Sequence, residues 1–158
     1  MKKIIILILL GFLLVSIINA DDNPYRGAIR LNPADIFINL HNALPGASIT
    51  WTPYLWGNIG IPVELDAHLG WGVLNGVQLS LLGGIEYFPL NSLFLDAKLG
   101  ASIHIDDGIK PAFICKAGAG YQFIFGRGFL FTPGAGIVYN GHNGLGVYFN
   151  LALGYAYR

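Results

Sequence analysis

From Val147 to Tyr157 every second residue is large and apolar or aromatic (Val147, Phe149, Leu151, Leu153, Tyr155, Tyr157). Those between are mostly small or polar (Asn150, Ala152, Gly154, Ala156). A period of two is that of a β-strand with two unlike faces. The same alternation recurs upstream. Val63, Leu65, Leu69 and Trp71 oppose Glu64, Asp66 and His68. Val77, Leu79, Leu81, Ile85 and Tyr87 oppose Gln78, Ser80 and Glu86. Leu95, Leu99 and Ile103 oppose Asp96, Lys98, Ser102 and His104, and Phe113, Tyr121, Phe123 and Phe125 oppose Lys116, Gly118, Gly120 and Gln122.

No segment after the first twenty residues keeps a helical period. Gly, Pro and Asn recur every ten to sixteen residues, as in a chain of hairpins. The pattern predicts eight strands, at 35–44, 47–55, 60–73, 77–88, 92–105, 111–124, 128–139 and 144–157. The intervening "LPG", "GNIG", "NG", "PLN", "DDG", "GRG" and "NGHNG" supply residues that preset a turn or tolerate positive φ. Every connection is sequential and short, so an even number of strands can close as an up-and-down antiparallel barrel over residues 35–158, preceded by an extended lead-in at 21–34.

Alternation alone does not say which face is inside; volume does. An eight-stranded barrel has room for little beyond its own inward side chains, and roughly thirty-five large apolar residues would overfill it. The reverse arrangement, a soluble barrel of lipocalin type, would also wear a coat of Gly, Ala and Ser with few charges, since only 11% of residues are charged. The odd-numbered face is therefore predicted to meet lipid and the even-numbered face to line a narrow polar lumen. Only Pro53, Pro133, alanines, a glycine and Cys115 interrupt the apolar face, and none is charged. Aromatic residues fall at strand ends, as expected of a girdle: Tyr87, Phe123, Phe125, Phe129, Phe131, Tyr155 and Tyr157 at the end of the chain termini, Trp71, Phe113 and Tyr139 at the other.

The opening "MKKIIILILLGFLLVSIINA" has two lysines, an apolar run and a small residue at its close, the pattern of a secretory signal peptide cleaved after Ala20. Without Lys2 and Lys3, nine acidic side chains face seven basic ones, a balance that favours neither nucleic acid nor an anionic surface for the chain as a whole. The single cysteine, Cys115, excludes an internal disulfide and reads as a small apolar residue.

With these features the chain resembles the small eight-stranded outer-membrane β-barrels, the class of the OmpA transmembrane domain, OmpX and OmpW. The resemblance spans about Asp35 to Arg158 and rests on architecture. It implies the outer membrane of a bacterial-type cell as location and the bilayer as partner. It also implies recognition by the barrel-assembly machinery through the last strand, "GVYFNLALGYAYR", where Arg158 follows the aromatic Tyr157. A monomer is expected.

Candidate chemistry lies on the even face. Glu64, Asp66, Glu86 and Asp96 stand against Lys98 and Lys116, with His68 and His104 nearby, and neighbouring strands suggest a cross-strand ladder among Glu86, Asp96, Lys98 and Lys116. An unpaired buried charge is costly, so a structural network filling the lumen is the favoured reading, ahead of a gated polar path. His68 with Glu64 and Asp66 lacks a conventional metal-ligand spacing. Ser102 and His104 lack a third orienting group, and Gly118 and Gly120 lack the third glycine and helix of a dinucleotide fingerprint. No catalytic residue, cofactor or metal is expected. The expectation is a structural barrel with a plugged lumen. A narrow channel for ions or small apolar molecules is the alternative, and surface recognition through the "NGHNG" and "DDG" turns a third.

Overall fold

The computed structural model describes residues 25–39, 43–56, 58–70, 76–90 and 92–158. The signal-peptide segment, the beginning of the lead-in and Trp71 lie outside these residues. Strand-forming alternation becomes ten strands: β1 (Gly27–Asn39), β2 (Ala43–Trp56), β3 (Ile59–Gly60), β4 (Val63–Gly70), β5 (Gly76–Tyr87), β6 (Leu93–Ile105), β7 (Ile109–Tyr121), β8 (Phe123–Phe125), β9 (Phe129–Asn140) and β10 (Gly144–Tyr157). All pairings are antiparallel, and β1 pairs with both β2 and β10, which closes the sheet. β3 with β4, and β7 with β8, each make one stave, so the barrel has eight. The all-β, antiparallel, eight-stranded barrel expected from the pattern is the fold.

The first breaks fall at residues that disturb a ladder. Between β3 and β4 stand Ile61 and Pro62; Pro62 has no N–H to give, but its carbonyl accepts from Gly84 N at 3.1 Å. At Gln122, between β7 and β8, the N–H donates to Ser92 O at 2.7 Å. Turn glycines take the conformations that hairpins demand: φ is +55° at Gly126 and +123° at Gly128, both in the left-handed half of conformational space.

One boundary differs from the alternation. The first strand is Gly27–Asn39 rather than 35–44, and most of the expected lead-in is a barrel stave. "LPG" lies within β2, which begins at Ala43, and residues 40–42 between β1 and β2 lie outside the described residues. The cause is a bulge. Asn32 pairs with Ser48 and Asp35 with Gly46, while Leu31 pairs with Leu153 and Ile36 with Phe149, so β1 holds one extra residue against both neighbours. Even residues point inward before it (Arg30, Asn32) and odd ones after it (Asp35, Phe37). A period-two pattern read in one frame therefore misses the strand, and Pro33 reads as a stop.

Elsewhere, apart from rim positions such as Lys110 and Ile124, the even residues are inside and the odd outside. Leu69, Leu81, Ile85, Leu99, Ile137, Leu145 and Leu153 are among the many large apolar side chains exposed on the outer face. Arg30, Glu64, Glu86, Lys98 and Lys116 are buried in the lumen. The girdle aromatics among the described residues lie on the outer face, and Tyr121, Phe123, Phe125, Phe129 and Phe131 form a chain of ring contacts with centroids 4.7–6.4 Å apart. Cys115 shares that face and is half-buried.

Candidate functional site: an ion-pair network in the barrel lumen

The lumen is filled in layers. At the end of the chain termini Ala28, Leu130 and Ala156 pack with Tyr25 and Tyr54. In the other half Phe37, Leu44, Leu82, Ile114, Val138 and Tyr148 form a second apolar cluster. The charges lie between them. Glycines make room for the inward aromatics: a Cβ at Gly118 would come within 2.1 Å of the Tyr148 hydroxyl, and one at Gly120 within 2.3 Å of the Phe94 ring. That is the role of these two residues, close packing beneath a ring.

Arg30 on β1 makes a forked contact with Glu86 on β5. Nη1 donates to Oε1 at 2.8 Å, Nη2 bonds Oε2, and Nη2 also donates to Thr52 Oγ1 at 2.7 Å. The guanidinium lies 5.5 Å from the centroid of Phe94. Two parallel bonds between planar groups are the strong form of such a pair. Lys98 on β6 bonds Glu64 on β4 and lies 2.7 Å from Asp96 Oδ2 on its own strand. Lys116 on β7 reaches Glu64 Oε1 at 2.8 Å, Asp66 Oδ2 at 2.6 Å and Asp35 Oδ2 at 3.5 Å. Glu64 thus joins two lysines, and Thr50 Oγ1 donates to it at 3.1 Å. The Tyr148 hydroxyl donates to Asp96 at 3.3 Å, and its ring lies 5.4 Å from the Lys116 ammonium.

This is not the along-the-wall ladder expected among Glu86, Asp96, Lys98 and Lys116. Glu86 is directly opposite Asp96 across strands, and Lys98 directly opposite Lys116. Like charges in facing positions repel. Glu86 and Lys116 instead cross the lumen to opposite charge, Lys98 reaches over β5 to Glu64, and Asp96 is held by Lys98 and Tyr148. Arg30 and Asp35, absent from the sequence-derived set, complete the network. Their alternation with Ile29, Leu31 and Ile36 is present in the chain but changes frame at the bulge.

The histidines sit at the edge of this network. His68 Nε2 and Asp35 Oδ2 are 3.8 Å apart, as are His104 Nε2 and Asp106 Oδ2. Oxygens of Asp35, Glu64 and Asp66 lie within 4.8 Å of one another, and the Lys116 ammonium contacts all three, supplying the positive charge that such a cluster needs. His104 forms no hydrogen bond with Ser102, whose hydroxyl takes a 3.1 Å bond from Asn140 Nδ2, so no nucleophile–base pair is assembled. The cavities among the lumen side chains are small, about 20 Å³ beside Arg30, Glu64 and Lys98 and about 10 Å³ beside Asp35, His68 and Lys116. Each holds about one water molecule at most.

Three solved structures share this architecture. The Yersinia pestis outer membrane protein Ail in a phospholipid nanodisc has 14% identity and a TM-score of 0.57, over 84% of this chain and 99% of that one. The N-terminal β-barrel domain of Pseudomonas aeruginosa OprF has 18% identity and a TM-score of 0.54, again over 84% and 99%. Neisserial surface protein A has 13% identity and a TM-score of 0.54, over 81% and 92%. No protein-family model and no curated protein sequence matches the chain. The fold is that of the small eight-stranded outer-membrane β-barrels; at these identities the likeness is one of fold.

Proposed function

We propose that the protein is an integral outer-membrane β-barrel, exported by its N-terminal segment, with a plugged lumen and a structural role in the membrane. The observation that carries this is the inversion of the two faces: large apolar side chains cover the outside, while the charges between the two rims are inside and paired. In water the outer face would be an exposed apolar surface far larger than a soluble monomer tolerates. In a bilayer it is the required coat, and closure leaves no unpaired strand edge in lipid. The aromatic chain around Phe123 to Phe131 suits the headgroup level at one interface. The apolar clusters on either side of the ion pairs and the small cavities favour a plug over a channel, since conduction requires a polar path that an ion can enter and leave. The protein acts as a monomer assembled through β10, and no catalytic step is assigned to it.

Refolding into detergent tests the membrane reading. The folded protein should migrate differently on a gel before and after boiling and give a β-type circular dichroism spectrum. Identical migration with a helical spectrum would contradict it.

A further inference from the structure

Charge is unevenly placed on the two rims. Among the described residues the rim of the chain termini carries Arg26, Arg127 and Arg158 and no acidic side chain outside the lumen. The opposite rim carries Asp106, Asp107 and Lys110. Arg127 and Arg158 line one open recess of about 540 Å³ together with Gly126, Tyr155 and Tyr157. The recess is held by backbone. Gly126 and Gly128, both at positive φ, form the turn that presents Arg127, and the Ala156 N–H donates to Gly128 O at 2.7 Å, tying that turn to the end of β10. Neither arginine has a carboxylate side chain in ion-pair range among the described residues, and Arg158 lies 5.7 Å from the ring centroid of Tyr25. Below the recess the wall turns apolar: Tyr155 is paired with Phe129 and Leu153 with Phe131, all on the outer face.

We propose that this recess binds the phosphodiester headgroup of an anionic phospholipid. Two guanidinium groups without a carboxylate side-chain partner match a phosphate, with the planar forked donors that recognise its oxygens. Tyrosine hydroxyls beside them sit at headgroup depth. The apolar wall continuing from Tyr155 to Leu153 offers a track for acyl chains, which a free phosphate ion does not use. The site rests on the membrane reading above, and its orientation places the arginine rim at a leaflet surface.

The test uses the full folded protein in non-ionic detergent, with native mass spectrometry reading retained lipid. Short-chain phosphatidylglycerol should be retained in preference to the matching phosphatidylcholine, and inorganic phosphate should not displace it. Arg127→Gln/Arg158→Gln should lower phosphatidylglycerol retention by about tenfold or more, the loss expected from removing charge-assisted hydrogen bonds. Lys110→Gln on the other rim should leave it unchanged. Each variant is first checked for the heat-dependent gel shift. If wild type lacks that shift the membrane reading fails, and the lipid site falls with it. If the double variant shows the shift and retains the lipid as wild type does, the site alone is wrong. Equal retention of phosphatidylcholine, or displacement by phosphate, also overturns it.

Discussion

Lys116 concentrates the electrostatics of the lumen in one atom, because its ammonium faces Glu64, Asp66 and Asp35 in a buried, packed interior. Lys116→Ala would leave carboxylates without their cation. The expected loss of unfolding free energy is about 3–5 kcal/mol, read by urea denaturation of the folded barrel. Adding Asp66→Asn should recover part of it, because a neutral amide no longer needs the missing charge; an unchanged single variant, or a double variant no better than the single, would show that the pairing does not stabilise the barrel. Outside the barrel wall, the Lys110 hydrogen bond holds the Asp106 carboxyl below its ordinary value. A lowered folded pKa makes the pair's contribution present above the unfolded pKa and lost as pH falls through the folded one. In Lys110→Ala the Asp106 titration followed by NMR should move up toward the ordinary value, with the urea midpoint unchanged, as befits an exposed pair. The inward position of each lumen carboxylate on β4 to β6 was legible, since alternation sets the face. Its partner was not, because pairing across the lumen depends on which wall closes opposite.

At the scale of elements, β1 shows how a strand escapes its own pattern. The bulge after Asn32 leaves backbone donors out of the regular ladder, and the Asn32 side chain collects them: Oδ1 accepts from Leu151 N at 3.1 Å and Ala34 N at 3.3 Å. Asn32→Ala would orphan those groups in a buried place, at a cost of about 1–3 kcal/mol. Urea unfolding should show that loss, while Asn32→Asp, which keeps an accepting oxygen, should lose less than Asn32→Ala; equal losses would mean that the acceptor is not what holds the bulge. The strands from β5 to β10 were largely legible because no bulge or internal stop changes their frame over most of their length. β1 was not, since Pro33 mimics a terminator and the extra residue reverses parity. Arg30 and Asp35, the two charges on either side of that bulge, were hidden for the same reason.

For the whole molecule, two properties decide what it can do: which face is wet and how full the inside is. Volume answered the first from sequence, because the apolar set is too large for the interior of eight strands. The second needed the structure: Phe37, Leu82 and Tyr148 on one side of the ion pairs, and Leu130 with Tyr54 on the other, are scattered in the chain and meet only on closure. No helix among the described residues is long and apolar enough to cross a membrane. The proposed plug implies that the barrel has no continuous water path along its axis. Planar-bilayer recording of the folded protein tests that claim most directly. A plugged lumen should give a flat current at applied voltages that leave the bilayer intact, with no reproducible conductance step. A single-channel step of constant size, altered in ion selectivity by Lys98→Gln, would contradict it and establish the lumen as a pore.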